Sequence, residues 1–391
     1  MNFKRNRMLF YLQSVDVLGM SIPTIYLIWQ RAGLDLADIL LLQGIFGLFV
    51  LLLEYPSGIL ADRFGRRNAV AIGKGFTALG LIGYMMGSSL VHFVFIELIF
   101  AVGLAAVSGA NIAFIWDSAI EAGEEPHAKE IVNTGIMITT GSNMTLLLIG
   151  VGLMLIDAYL PIYIGIVYLC VLAIVLLMGD EPKKVTLLSA GKILKQSTKY
   201  LGQRKFIEVV VISAITMISL RIAFWAYIPK LQDNQVHEAW YSVVLMMANM
   251  VAFSTAALMR RKKTYSYQSM MIAFAAAAVG IGMFIFRLNV LGVIIAIILH
   301  QVARGIIPTL AAVMVNELAD SEVRASVQSL KSMVTNLAYF AISSLAFIPL
   351  VKPHIMTLNF AVVMVLILSA LFLRVAESSR KTVNPVPHWK P

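Results

Sequence analysis

Apolar runs of about twenty residues, separated by short breaks rich in charge, glycine or proline, recur along the whole chain. They place spans near 8–30, 37–60, 68–88, 92–118, 130–156, 160–179, 206–229, 239–259, 266–286, 290–317, 325–350 and 354–374. A run of that length crosses a hydrocarbon core of about 30 Å. No water satisfies a backbone N–H or C=O inside lipid, so each run must close its hydrogen bonds internally, as a helix. The pattern predicts an all-α membrane protein of about 12 transmembrane helices. Lys74 and several glycines make the third run the weakest.

Of the 391 residues, 59% are hydrophobic and 13% charged, where a soluble domain carries about a quarter charged. The net charge of +10 raises the question of nucleic acid, but the cations are scattered over separate loops. Counted from an internal N-terminus, they gather on one side: Lys4, Arg5 and Arg7; Arg63, Arg66 and Arg67; a run from Lys183 to Lys205; and Arg260 to Lys263. The opposite loops hold only Arg31, Lys230, Arg287 and Lys352. This asymmetry predicts both termini in the cytoplasm and no nucleic-acid partner. The basic opening Met1–Arg7 precedes an apolar stretch with no small-residue cleavage site, and is read as the start of a retained first helix. The single cysteine, Cys170, allows no intrachain disulfide and suggests no thiolate metal site.

The longest polar stretch, 180–205, is basic and follows six spans with six more to come. It divides the chain into an N-terminal six-helix bundle (1–179), a cytoplasmic linker (180–205), a C-terminal six-helix bundle (206–374) and a cytoplasmic tail (375–391). A six-plus-six plan is what a two-bundle transporter with parallel halves shows. No sequence repeat relates the halves, so this expectation rests on the span count.

Between the second and third spans the chain reads Gly58-Ile-Leu-Ala-Asp62-Arg63-Phe-Gly65-Arg66-Arg67. This resembles the loop 2–3 signature of the major facilitator superfamily, G-x-L-a-D-r-x-G-r-r. Upstream, Glu54-Tyr-Pro56-Ser-Gly58 resembles the E-x-P-[ST]-G variant of small bacterial exporters in that superfamily. Ser108-Gly109-Ala110, Asp117-Ser118 and Arg324-Ala-Ser-Val-Gln-Ser329 fit the same group. The resemblance implies two bundles around a central cavity and transport by alternating access. It also implies a conformational latch at the cytoplasmic loop, built from Gly58, Asp62, Arg63, Gly65, Arg66, Arg67 and Asp117. Physically, Gly58 and Gly65 permit close approach and a tight turn. Asp62 can cap a helix N-terminus, and Arg66 can reach Asp62 and Asp117. The plainer reading is a charged cytoplasmic turn. The chain departs from many antiporters in two places. Span five lacks G-P-x-x-G-G, and in span four the position four residues before Gly103 is Ile99 rather than Arg.

Ionisable groups within a bilayer are costly and tend to face a cavity or a partner. Asp16, Glu97, Arg221, His300 and Arg304 fall in spans one, four, seven and ten, the spans that line the cavity in the superfamily. Asp16 is the candidate proton or cation site; the structural alternative is an Asp bonded to Gln13 and Ser14. Arg221 and Arg304 suit a substrate carboxylate or phosphate, or a gate closed against Asp16 or Glu97. His300 and Arg304, four apart, share a helix face; His300 is either a proton relay or a satisfied helix contact. Trp225, with Phe224 and Tyr227, offers stacking area for a substrate or belongs to ordinary packing. Lys74, Glu208, Glu317 and Lys331 lie near cytoplasmic ends, where they can snorkel.

No P-loop, metal-ligand cluster or nucleophile constellation appears, and no cofactor is implied. The leading expectation is a secondary active transporter in a bacterial inner membrane, monomeric, exporting drug-like or amphipathic metabolites against protons. One alternative is transport of an anionic or zwitterionic metabolite through Arg221 and Arg304. Another is a non-transporting receptor or a lipid scramblase on the same bundle.

Overall fold

In this computed structural model, residues 2–183, 203–261, 267–318, 324–346 and 348–365 are described. Among them, no strand occurs. The first half comprises α1 (Phe3–Gln13), α2 (Leu18–Arg31), α3 (Leu36–Phe64), α4 (Arg66–Met86), α5 (Leu90–Glu121), α6 (Glu125–Ile156) and α7 (Leu160–Leu176). The second comprises α8 (Arg204–Trp225), α9 (Tyr227–Gln232), α10 (Ala239–Arg261), α11 (Tyr267–Met283), α12 (Val290–Leu318) and α13 (Arg324–Leu345). A last helix, α14, covers 355–365. Most of the linker, from 184 to 202, and the tail lie outside the described residues.

The helices sit where the hydrophobic pattern placed the spans, and the fold class is the expected all-α membrane architecture. Among the described residues, eight helical segments are long and apolar enough to cross a bilayer, with Leu160–Leu176 and Met270–Met283 as shorter apolar helices. Large apolar side chains point outward, Ile174 at 67% and Leu291 at 64% exposure. A water-soluble surface does not carry such a coat; lipid does.

Local chemistry sets the boundaries. Asp35 opens α3 with a capping box, accepting from the N–H groups of Ala37 (2.9 Å) and Asp38 (3.1 Å), while the Asp38 carboxylate accepts from Asp35 N–H. Ser89 caps α5 through His92 N–H. Gly65 alone separates α3 from α4, at φ +100°, a conformation that L side chains rarely adopt.

Two expected spans are not single helices. Span one breaks at Ser14–Val17, because polar side chains there compete for backbone groups. Ser14 Oγ donates to Phe10 C=O at 2.7 Å, and Asp16 Oδ1 accepts from Leu18 N–H at 3.2 Å. Span seven steps from α8 to α9 at Ala226, just ahead of Pro229, which has no N–H to donate.

The helices of each half pack mainly on one another, α4 on α5 and α3 on α5 in the first, α11 and α10 on α12 in the second. Two seams join the halves: α3 against α13, and α6 against α10. The end carrying Arg66 and Arg67 is called the basic end below, and the other the far end.

Candidate functional site

The break in span one exposes backbone that neighbouring spans must satisfy. Thr139 Oγ1 of α6 donates to Ser14 C=O at 2.8 Å, and Ser142 Oγ accepts from Asp16 N–H at 2.9 Å. Lys74 Nζ of α4 donates to Gln13 C=O at 3.1 Å. Lys74 therefore points into the broken helix instead of snorkelling to the membrane surface, because an open carbonyl lies within its reach. Asp16 sits in this irregular stretch, half-buried, at the start of α2.

From Asp16 a row of hydrogen bonds crosses to the other half. Asn143 Nδ2 donates to Asp16 Oδ2 at 2.8 Å. Asn249 Nδ2 of α10 donates to Asn143 Oδ1 at 3.3 Å. Arg304 Nη1 of α12 donates to Asn249 Oδ1 and to Gln301 Oε1, each at 3.3 Å, and its guanidinium lies 5.3 Å from the Phe224 ring centre. A carboxylate on the first half and a guanidinium on the second are thus linked through two neutral amides. All four side chains are half-buried and none is sealed off. Gly19 makes room for this row: a Cβ there would overlap the Asn143 amide.

The other expected cavity residues go elsewhere. Glu97 is 1% exposed and closed inside the first half, where Oε1 accepts from Tyr84 Oη at 2.8 Å and Gln43 Nε2 at 3.2 Å. It does not face the row. His300, 0% exposed, has both ring nitrogens occupied. Its Nε2 lies 3.0 Å from Leu220 C=O, which only accepts, so Nε2 donates and Nδ1 accepts from Tyr227 Oη. Of its two readings, the geometry is that of a satisfied helix contact. Arg221 is exposed at the seam of α8, α13 and α3, 3.4 Å from Asn336 Oδ1 and 4.7 Å from the Tyr339 ring centre. Trp225 packs on Trp29 of the first half, with ring centres 5.5 Å apart.

At the far end several pairs join the halves. Gln30 and Gln232 exchange amide hydrogen bonds of 2.7 and 2.5 Å. Arg31 lies 3.9 Å from Glu238, and Lys352 pairs with Asp35. Partial burial pushes the Asp35 carboxyl up, but Lys352 and the N–H groups of Asp38 and Ala37 outweigh it and hold it below the usual range. The Asp35 partner pushes Lys352 above the ordinary lysine value.

At the basic end, Arg66 Nε lies 3.0 Å from Asp117 Oδ2, the pair the resemblance suggested. Asp62, expected as a candidate helix N-cap, lies in the last turn of α3 while Gly65 holds the N-cap position of α4; its side chain lies outside the described residues, as does that of Arg324. Arg63 is exposed. Gly58 serves no close approach, since nothing lies within 4 Å of where its Cβ would be. Two residues that the sequence reading left in the linker organise this end. Glu181 accepts from the N–H groups of Arg66 (2.5 Å) and Arg67 (3.1 Å), capping α4. Asp180 accepts from Asn2 N–H at 2.6 Å and pairs with Arg5, and these hold its carboxyl below the usual range. The sequence reading also passed over Asn143 and Asn249. Their signal was present, since a carboxamide in the middle of an apolar run needs a partner as a charge does.

A cavity of about 450 Å³ opens at the far end, lined by Lys230, Asp233, Asn234, Arg287 and Leu288, none of them a candidate site residue. Among the described residues, no cluster of His, Cys, Asp and Glu is suited to a metal ion.

A family model described as Major Facilitator Superfamily matches residues 9–343. No curated sequence matches the chain. Solved structures of the same fold include the nucleoside transporter NupG, with a TM-score of 0.75 and 14% identity over 95% of this chain and 98% of that one. A D-xylose–proton symporter gives a TM-score of 0.68 and 12% identity, over 95% of this chain and 96% of that chain. A bacterial homologue of the human lysosomal transporter Spinster, inward-facing and unoccupied, gives 0.66 and 13%, over 96% and 94%. At such identities the likeness is one of fold.

Proposed function

The chain belongs to the Major Facilitator Superfamily, and from that membership we propose a secondary active transporter that moves a small molecule across a bacterial inner membrane by alternating access. Export is driven by protons exchanged at Asp16, and the basic end, with both termini, faces the cytoplasm. The observation that carries this reading is the row Asp16–Asn143–Asn249–Arg304, which joins spans one and five to spans eight and ten. Residues 1–179 and 206–374 act as the two moving bodies. The Arg66–Asp117 pair belongs to the latch that resets when the protein turns outward.

Purified protein in proteoliposomes tests this. Wild type should extrude a lipophilic cation such as tetraphenylphosphonium under an imposed pH gradient, and lose that flux when the gradient collapses. Asp16→Asn should lose the pH-driven flux while inserting normally; full pH-driven transport in that variant removes Asp16 from the coupling step. Asp62→Asn should slow transport with insertion intact, and unchanged rates would dismiss the latch.

A second reading, transport of an anionic or zwitterionic metabolite, is favoured by one feature. The described hydrogen-bond acceptors of Arg304 are neutral amide oxygens at 3.3 Å, whereas an arginine paired with a carboxylate forms shorter bonds of about 2.7–2.9 Å. A receptor or scramblase shows no substrate-dependent counterflow.

A further inference from the structure

The order of atoms along the central row says more than its end charges do. Asn143 turns its amide nitrogen to Asp16 and its oxygen away. Asn249 turns its nitrogen to Asn143 and its oxygen to Arg304. A donor meets the carboxylate and an acceptor meets the guanidinium. The two carboxamides thus reproduce, in neutral form, a molecule with a cationic group at one end and an anionic group at the other.

Resting on the second transporter reading above, we propose that the substrate is a zwitterion of short-peptide length that bridges this row. Its cationic group takes the place of Asn143 on Asp16, and its anionic group takes the place of Asn249 on Arg304. Three features favour exchange of the amides. The contacts at Arg304 and between the amides are long, at 3.3 Å each, and neutral partners yield to charged ones, whose hydrogen bonds are roughly twice as strong. The guanidinium offers five donors in a fork that fits a carboxylate with two parallel bonds. The four side chains are half-buried, so space adjoins them. Neighbouring polar groups hold other partners, although the Lys74 ammonium lies close enough to Asp16 to act on its charge. Lys74 is bound to Gln13 C=O, Glu97 to Tyr84 and Gln43, and His300 to Leu220 and Tyr227. Asp16 and Arg304 are thus left as the charged ends that a ligand bridging the halves would meet.

The discrimination follows from the charges. A molecule with one charged end leaves the other protein charge on an amide, and losing one charge-assisted hydrogen bond weakens binding by at least ~10-fold. The test measures thermal stabilisation of purified wild-type protein by glycyl dipeptides and tripeptides. Their methyl esters serve as cation-only analogues and their N-acetyl forms as anion-only analogues. At least one zwitterion should stabilise the protein, with its ester and its N-acetyl form each needing at least ~10-fold higher concentration. In Asp16→Asn the N-acetyl form should bind as well as the zwitterion, and in Arg304→Gln the ester should.

The wild-type comparison does not depend on either variant folding. Absence of stabilisation by every zwitterion, or equal binding of the singly charged analogues, overturns the proposal. Counterflow separates the two readings. Zwitterion binding without counterflow supports the site and sinks the transporter. Counterflow of tetraphenylphosphonium that no zwitterion inhibits keeps the transporter and overturns the site.

Discussion

Replacing Glu181 with alanine should loosen the basic end of the first half. The carboxylate accepts from Arg66 N–H at 2.5 Å and Arg67 N–H at 3.1 Å, and lies 3.9 Å from Arg67 Nε. Hydrogen bonds to a charged group contribute about 1.5–3 kcal/mol each when buried. The Glu181 side chain is 32% exposed, so solvent screening lowers that figure. Loss of a helix cap costs about 0.5–2 kcal/mol, and about 2 kcal/mol is the consistent working value. If the first half unfolds as a unit, this lowers Tm by about 4–8 °C. Glu181→Gln, which keeps one acceptor without the charge, should lose about half as much. The contact also predicts a coupling. A Cβ on Gly65 would sit 2.6 Å from the Glu181 carboxyl carbon, and Gly65 holds φ +100°. Gly65→Ala therefore carries backbone strain of about 1–3 kcal/mol plus a collision with Glu181. Glu181→Ala removes the collision, so the double variant should be more stable than the sum of the singles by about 1 kcal/mol. Thermal unfolding in detergent, followed by tryptophan fluorescence, reads both effects. Additivity within about 0.3 kcal/mol, or an unchanged Tm in Glu181→Ala, would refute the capping role.

Other outcomes follow from the same structure. Gly19→Ala should push the Asn143 amide off Asp16, removing a charge-assisted hydrogen bond and slowing transport by about 10-fold, with a normal gel-filtration profile; unchanged transport would count against the row. The Asp35–Lys352 pair has a lowered acid and a raised base. Its stabilisation is present above the ordinary Asp value and below the ordinary Lys value, and is lost only as pH falls through the lowered Asp35 pKa or rises through the raised Lys352 pKa. At one fixed pH, labelling of Gln232→Cys by an impermeant maleimide should therefore rise in Lys352→Gln, and the Tm lost in Lys352→Gln should be flat between about pH 5 and 9. Asp117→Asn strips a partner from Arg66, whose side chain is 17% exposed against 5% for Asp117. It should destabilise the protein by about 3 kcal/mol, measured as a lower Tm.

The spans were legible because lipid imposes one requirement on every crossing segment, and hydropathy reports it directly. The break at Ser14–Val17 was not, since averaging over a span smooths a short polar stretch into an apolar run. Arg66 meeting Asp117 was foreseeable from the ordered loop pattern. Glu181 capping α4 was not, because the partners are 115 residues apart and the acid sits in a stretch that reads as linker. Counting charges per span singled out Asp16 and Arg304, the two ends of the row, but could not choose helix faces. His300 and Arg304 share a face by spacing, yet His300 turns to Tyr227 and Leu220 while Arg304 reaches Asn249. Asn143 and Asn249 escaped because only ionisable residues were weighed, although in lipid the amide's demand for a partner is of the same kind.

The contacts that join the halves are distributed unevenly, and the imbalance bears on how the protein would turn. At the basic end the described pairs tie the first half to itself: Asp180 to Asn2 and Arg5, Glu181 to α4, Arg66 to Asp117. That end can move as one body. At the far end the halves meet through an amide pair, two ion pairs and one aromatic contact. Exposed polar pairs of this kind contribute about 0–1 kcal/mol each, and the buried packing of Ala37 and Leu40 on Ile218, Ile222 and Tyr339 adds to them. Inverting a 1:99 preference between two states takes about 5.5 kcal/mol of differential binding, a quantity that two desolvated charge pairs at Asp16 and Arg304 can supply. The hydrogen bond of 3.3 Å between the Asn143 and Asn249 carboxamides crosses between the halves and lies between those two charges. A ligand that replaces it binds both halves at once, and so acts on the equilibrium between the two states.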